Sequence, residues 1–397
     1  MNRIDVNEYK YVNQVLSGGF RSSQGAAFMQ KLESQFSKTF GMKNSISFCN
    51  GTATMHAVLE AIGIRPGDEV IVPPLTMSST AFSVLQANGT PVFADVDYET
   101  FQISADSIEN NITENTKAII TVALYGLSPD MTPIMDIANR NKLFVLEDNA
   151  ECFLGKYKGD LVGTLGHAAS FSFQSSKHLA AGEGGMICTN DTDLALKIRQ
   201  IQSLGYAGVT ADQPKISKRK IQSPSYSRHV TLGWNYRMPE LCCAVALAQV
   251  ERIDELVTQR IKVARIYQEA VSSFADWFIP QKVGSDYVNS YWTWVCRNES
   301  SNVSWDQIRD LFTSFGGDGV YGAWKLSYLE PVFQNRNFLG REEFISKQRL
   351  NSYRQGLCPA AEKLQPKLFQ FKTNYWNIED AEQQAEILYK TLKYFGG

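Results

Sequence analysis

Between Asn44 and Thr189, short apolar runs alternate with amphipathic stretches, and this alternation restricts the fold more than any other feature of the chain. "SISFC" precedes a helical pattern through "TATMHAVLEAIG", and "DEVIVPP" precedes "SSTAFSVLQANG". "PVFADV" and "KAIITVALYG" follow, then a helix near "MTPIMDIANRN", the run "LFVLED", and finally "AASFSF" and "GGMICTN". Strands that are apolar at nearly every position must be covered on both faces. The pattern therefore predicts an α/β fold with a mostly parallel central sheet between helical layers. Ligands bind such sheets at the loops that follow the carboxyl ends of the strands. Helical periodicity returns from Pro239 to about Phe274. Beyond Ala275, strands such as "YWTWVCR" mix with helices such as "EDAEQQAEILYKTLKYF", which predicts a smaller C-terminal α+β domain. The expected division is a large domain over 1–250, with its N-terminal segment, and a small one over 251–397.

The 397 residues suffice for one large core and a second, smaller one. A net charge of −2 gives no general attraction to nucleic acid or to membrane surfaces. The opening "MNRIDVNEYKYVNQVL" has no continuous apolar run, so neither a signal peptide nor an anchor is expected, and a cytoplasmic location is. The seven cysteines lack CxxC spacing, as reduced thiols would, and four scattered histidines argue against a His-based metal site.

Three features fall at predicted strand ends. In "CNGTATMH", Asn50-Gly51-Thr52 opens a helix; glycine lets the backbone approach an anion, and the free N–H groups of the helix point at it. The same turn reads equally as a plain β-α connection with a side-chain cap. "VLEDNAE" ends an apolar strand on Asp148 and Glu151, and a buried acid there needs a neutralising partner. A protonated heterocyclic nitrogen would serve, as would a helix cap or an ion pair. "FSFQSSKHLAAGEGG" offers Ser172 and then Lys177 before a glycine-dense turn. A partly desolvated lysine amine can form a Schiff base, while a solvated loop lysine does nothing. Phosphate cradle, acid and lysine together are the parts that pyridoxal phosphate requires.

The order "NGT", "EDNAE", "FSFxxxK…GEGG" and "GWNYRMPELCCAVALAQVERIDEL" closely resembles the DegT/DnrJ/EryC1/StrS sugar aminotransferases, from about Gly18 ("GGFRSSQGAAFMQKLESQFSKTFG") onward and more weakly after Tyr287. The resemblance implies a fold-type I enzyme that works as a homodimer with active sites shared between subunits. It also implies pyridoxal 5'-phosphate as cofactor, in the pyridoxamine form during the second half of the reaction. By position, Lys177 matches the Schiff-base lysine and Asp148 the partner of the pyridine nitrogen. Gly51, Thr52 and Ser172 match phosphate binders, Asn235 in "NYRM" a phosphate contact from the neighbouring subunit, and Glu151 a position beside the phenolic oxygen. Met77 stands where many relatives stack an aromatic side chain on the ring. The small domain reads "GGDGVYGAWKLSYLEPVF" in place of a segment resembling "HYxPLH", so Tyr321, Trp324 and Tyr328 are either an aromatic wall or core. His178, Arg228, Arg237 and Lys325 are candidates for substrate contact, with surface or structural roles as the alternative.

The implied reaction moves the amino group of L-glutamate or L-glutamine to a keto- or aldehydo-sugar, for surface polysaccharide, lipopolysaccharide or secondary-metabolite synthesis. The expected acceptor is a nucleotide-linked 4-keto-6-deoxy sugar. An 8-oxo-octulosonate and a keto-cyclitol such as a scyllo-inosose are the alternatives. Sugar dehydratases of the family carry histidine at the lysine position, and counting from "FSF" puts Lys177, not His178, there. A non-catalytic regulatory protein would have lost Lys177, Asp148 or Ser172, and a gene regulator would need a DNA-binding module for which the short N-terminal segment leaves no room. No nucleic-acid or membrane partner is expected.

Overall fold

The computed structural model describes residues 2–19, 27–213 and 216–396; residues 20–26 of the "GGFRSSQG…" stretch lie outside the described residues. The large domain is built on strands β1 (Asn44–Phe48), β2 (Glu69–Val72), β3 (Thr90–Phe93), β4 (Thr116–Val122) and β5 (Phe144–Asp148). A short ladder, β6 (Lys156–Tyr157) and β7 (Asp160–Leu161), separates these from β8 (Ala168–Ser172) and β9 (Gly185–Thr189). The seven-stranded sheet has the order β1-β9-β8-β5-β4-β2-β3. From β8 to β3 all neighbours are parallel, and β9 runs antiparallel to both β1 and β8. The sheet is therefore mostly parallel, as the apolar runs require. Every residue of β1, β2, β3, β8 and β9 is buried.

This order brings the carboxyl ends of β1, β8 and β5 to one edge, and with them Asn50-Gly51, Ser172 and Asp148. The antiparallel β9 starts at the same edge, its Gly185 opposite both Phe48 and Ser172. Glycine is required there because a Cβ would lie 2.6 Å from the Asn50 carbonyl oxygen.

Behind the sheet, helix Ala27–Phe40 carries Glu33, which Arg199 of helix Thr192–Gln202 meets in a two-pronged ion pair (2.9 and 2.7 Å). Both side chains are buried, and Glu33 also accepts from the Ser47 N–H and hydroxyl of β1, so one carboxylate joins two helices to the sheet.

The smaller domain holds β10 (Phe278–Pro280), β12 (Thr293–Asn298), β13 (Val320–Gly322) and β14 (Leu368–Lys372), while β11 (Tyr287–Val288) pairs back onto β6. The sheet order is β10-β12-β14-β13, antiparallel throughout, and helices Ile253–Ala270 and Ile378–Gly396 pack its core. The chain then crosses back over the large domain. Ser327 N–H donates to the Pro74 carbonyl (3.0 Å), Tyr353 hydroxyl to Pro91 (2.7 Å), and the Ala360 and Ala361 N–H groups to the Asp95 carboxylate (2.8 and 2.9 Å). Tyr328 packs with Phe93 inside this seam and is fully buried, so of its two alternatives it takes core. Among the described residues no helix is long and apolar enough to cross a membrane.

Replacing Glu33 with alanine strands the Arg199 guanidinium in the core. The expected loss is about 3–5 kcal/mol, read as a lower urea midpoint of the apoprotein, with Arg199→Met/Glu33→Leu recovering much of it.

Candidate active site

The edge where β1, β5 and β8 end opens into a cleft of about 380 Å³, within the range of small-molecule sites. Its walls include Gly51, Thr52, Met77, Asp148, Glu151, Ser172, Lys177, Trp292 and Trp324. Seven positions read from the sequence as cofactor contacts thus converge on one cavity, and Trp324 joins them.

The first wall is the start of helix Gly51–Ala61. Asn50 caps it, its side chain accepting from the Ala53 N–H (2.8 Å). The cap reading holds, and it is compatible with the anion reading: the cap uses Ala53 and leaves the N–H groups of Gly51 and Thr52 beside the cleft. A Cβ at Gly51 would sit 3.1 Å from the Ser172 Cβ, so the absence of a side chain keeps this cradle open beside the Ser172 hydroxyl.

Asp148 closes β5 and is buried. Its carboxylate accepts from the Thr80 hydroxyl (2.9 Å) and the Ala150 N–H (3.2 Å). Burial pushes its carboxyl above the ordinary carboxylate value, against the pull of those two hydrogen bonds and of the Lys177 charge. Glu151 is likewise buried and raised by burial, with Lys177 the strongest opposing influence. Its carboxylate accepts from the Tyr125 N–H (3.0 Å) and from Lys177 Nζ (3.2 Å). On its other side, Lys177 Nζ lies over the Trp292 ring, 4.1 Å from its centre. The Trp292 indole donates to the Ser176 carbonyl (2.9 Å) and stacks on Trp324, centroids 5.8 Å apart.

Other positions read from the sequence lie elsewhere. His178 is fully buried; its Nε2 meets the Ser290 carbonyl (2.9 Å), burial holds it well below the ordinary histidine value, and it does not line the cleft. Tyr321 and Lys325 are exposed and outside the cleft wall. Arg228 is exposed on a loop and donates to the Ile221 carbonyl (3.3 Å), and Arg237 donates to the Ser203 hydroxyl (3.3 Å). Asn235 bridges to Ser203, exposed and outside the cleft of its own chain. Sequence reasoning missed Trp292, which it placed in a small-domain strand, and Thr80, whose one visible signal was its position in the first turn of the helix after β2, Ser79–Gln86.

A cradle that a Cβ would fill, a buried carboxylate with acceptor capacity to spare, and a lysine amine facing both acids fit pyridoxal phosphate. Together with a mostly parallel sheet carrying these groups at its strand ends, they define a pyridoxal-phosphate-dependent enzyme of the aminotransferase type. The comparisons agree: residues 2–351 match the DegT/DnrJ/EryC1/StrS aminotransferase family, and the chain belongs to it. It is 38% identical to the GDP-perosamine synthase of Caulobacter vibrioides across 78% of this chain and 80% of that one. It is 37% identical to the Escherichia coli O157:H7 protein of the same name, over 72% and 73% of the two chains. An aminotransferase of known structure from Psychrobacter cryohalolentis superposes with a TM-score of 0.86, at 25% identity, over 99% of this chain and 98% of that one. The cofactor of the family, and of this enzyme, is pyridoxal phosphate.

Because burial raises the Asp148 carboxyl, ionisation costs the folded apoprotein stability above the ordinary carboxylate range and nothing below it. Asp148→Asn apoprotein should melt at or above the wild-type temperature near neutral pH, with the gap closing toward about pH 4. Thermal denaturation of the two apoproteins across that pH range checks this.

Proposed function

We propose that the chain transfers the amino group of L-glutamate or L-glutamine to a carbonyl carbon of a nucleotide-linked keto-sugar. The observation that carries the reading is Lys177 Nζ held 3.2 Å from Glu151 and over Trp292 at the floor of a cleft that also contains Asp148. Pyridoxal phosphate, when bound, supplies a covalent handle for the amino group and an electron sink.

The residues divide the remaining work. Gly51 and Thr52 N–H groups and the Ser172 hydroxyl would hold the phosphate, with no Cβ at Gly51 to intervene. Asp148 keeps the proton on the pyridine nitrogen, its own geometry fixed by Thr80 and Ala150. Glu151 faces the phenolic side, where it must be hydrogen-bonded or protonated, and burial favours the protonated form. Lys177 carries the proton on its Nζ to and from the reacting carbon in both halves of the reaction. Met77 packs its polarizable side chain where relatives stack an aromatic ring. Trp292 and Trp324 form an apolar wall beside Lys177 that suits the face of a sugar ring and excludes water from the proton transfer.

The relatives support this acceptor class. Two relatives are named GDP-perosamine synthase, for a GDP-linked product, which favours a nucleotide-linked acceptor over a cyclitol or an octulosonate. We also read the enzyme as a homodimer, and 1–250 and 251–397 as its two domains. Val230, Leu232 and Trp234 are exposed apolar side chains flanking Asn235, and a second copy is the occupant that would cover them and bring Asn235, with Arg228 nearby, to the neighbouring cleft.

Wild-type protein loaded with pyridoxal phosphate should show a visible absorbance band that bleaches with L-glutamate or L-glutamine and is missing in Lys177→Ala. A band that neither donor changes would refute the donor assignment. Mixed Lys177→Ala and Asn235→Ala subunits, each inactive alone, should recover about a quarter of wild-type activity if sites are shared. No recovery after subunit exchange would show that each site is self-contained.

A further inference from the structure

Arg260 lies in helix Ile253–Ala270 and is 1% exposed, yet it has no carboxylate partner among the described residues. A buried guanidinium is costly unless charge or hydrogen bonds compensate it. Here the compensation comes only from uncharged oxygens. Nη2 donates to the carbonyls of Ser176 (3.1 Å) and Lys177 (2.9 Å), and Nη1 to the Trp292 carbonyl (2.8 Å) and the Thr373 hydroxyl (3.2 Å). A second arginine meets the same atom: Arg3 Nη2 donates to the Lys177 carbonyl at 2.9 Å. Two guanidinium groups thus share one peptide oxygen. Burial and the Arg3 charge together depress the Arg260 guanidinium to about 9. Arg3 reaches this point because the Gln249 side chain holds its own carbonyl (2.9 Å) and Arg252 holds that of Asn2 (2.8 Å).

A chain gains nothing in stability by placing two cations against one carbonyl in its interior when hydrophobic groups could fill the space. What the arrangement does is fix the two peptides that flank the Lys177 Cα: Trp292, ahead of β12, and Arg260, on the helix that enters the small domain, hold the Ser176 carbonyl, and Arg260 and Arg3 of the N-terminal segment hold the Lys177 carbonyl. Lysine has a long, flexible stem, and the position of its Cα determines where Nζ can reach. We infer that Arg260 and Arg3 are positioning residues that clamp the Lys177 backbone so that its amine meets the cofactor aldehyde, and that they couple this placement to the small domain through Trp292 and Thr373. The inference rests on the reading of Lys177 as the lysine that bonds the cofactor.

A ligand pair separates positioning from a general structural role. Pyridoxal phosphate needs Lys177 for its covalent bond; pyridoxamine phosphate fills the same cleft without it. Holo and apo forms of Arg260→Lys, Arg260→Met, Arg3→Met and Lys177→Ala would be compared by equilibrium binding of both compounds and by borohydride trapping at Lys177. Arg3→Met lies on the N-terminal segment outside the core and provides the comparison should Arg260→Met fail to fold. The expected result is a loss of about tenfold or more in pyridoxal phosphate affinity and in trapping, with pyridoxamine phosphate affinity within about twofold of wild type. Arg260→Lys should fall between, since one ammonium cannot reach four oxygens. Equal weakening of both compounds, or unchanged binding of both with only a lower melting temperature, overturns the clamp. If Lys177→Ala itself leaves pyridoxal phosphate affinity unchanged, the lysine reading has failed and the clamp falls with it. If that variant weakens and the arginine variants do not, the clamp alone is wrong.

Discussion

Three carboxylates within five residues at the end of β5, Glu147, Asp148 and Glu151, are all buried, and keeping them out of water organises the whole edge of the sheet. They meet the cost in three ways. Glu147 is saturated by backbone: the N–H groups of Gly163, Leu165 and Gly166 donate to it at 2.8, 2.8 and 2.6 Å, which ties the loop before β8 to the sheet. Glu151 draws on the Tyr125 N–H and the Lys177 amine. Asp148 has a hydroxyl and one N–H, and so keeps acceptor capacity facing the cleft. Alternation along β5 separates the first two: Glu147 faces away from the cavity that Asp148 lines, and one residue of register would exchange a structural acid for a chemical one.

The strand-end chemistry was legible in the sequence because it is local. A run such as "LFVLED" states both that a strand is buried and that it ends on acid, and "CNGT" states that a helix starts with a gap where a side chain would be. Parallel topology then delivers these ends to one edge whatever the intervening loops do. Contacts made between distant segments left no such trace. Trp292 sits in a run that reads as a small-domain strand, and its place over Lys177 depends on how that domain docks. Tyr328 and Trp324 stand four residues apart with the same aromatic character, yet one is sealed in the seam against Phe93 and the other faces the cleft. Arg260 occupies a helix rich in charged residues, "IDELVTQRIKVARIYQEA", where a buried arginine is indistinguishable from a solvated one until the helix is packed. His178, next to the lysine in sequence, points into the core because the turn that presents Lys177 to the cleft sends its neighbour the other way.

The small domain is therefore more than an appendage that closes over a finished site. Arg260 and Thr373 hold the Trp292 carbonyl, the Trp292 indole holds Ser176, and Arg260 holds the Ser176–Lys177 carbonyls. These bonds join the small sheet to the backbone of the lysine. The returning segment adds a second linkage, since Ser327 donates to the Pro74 carbonyl and accepts from the Ser78 hydroxyl, on either side of Met77. The Met77 and Trp292 sides of the cleft thus depend on docking of the C-terminal part against the sheet.

Charge at the cleft carries the argument one step further. Its lining includes Asp148, Glu151 and Glu183, and among the described residues that line it Lys177 is the single cation. An amino-acid donor brings carboxylate, and a nucleotide-linked sugar brings more phosphate charge. One lysine is a small counterweight to such groups, and like charges at close range are costly. For the proposed substrates, further positive charge would have to come from beyond this lining. The exposed loop that carries Arg228 and Asn235, bordered by uncovered Val230, Leu232 and Trp234, has the composition such a contribution needs. Electrostatic demand from the proposed substrates inside the cleft and apolar exposure outside it both support the proposal that a second copy of the chain completes the site.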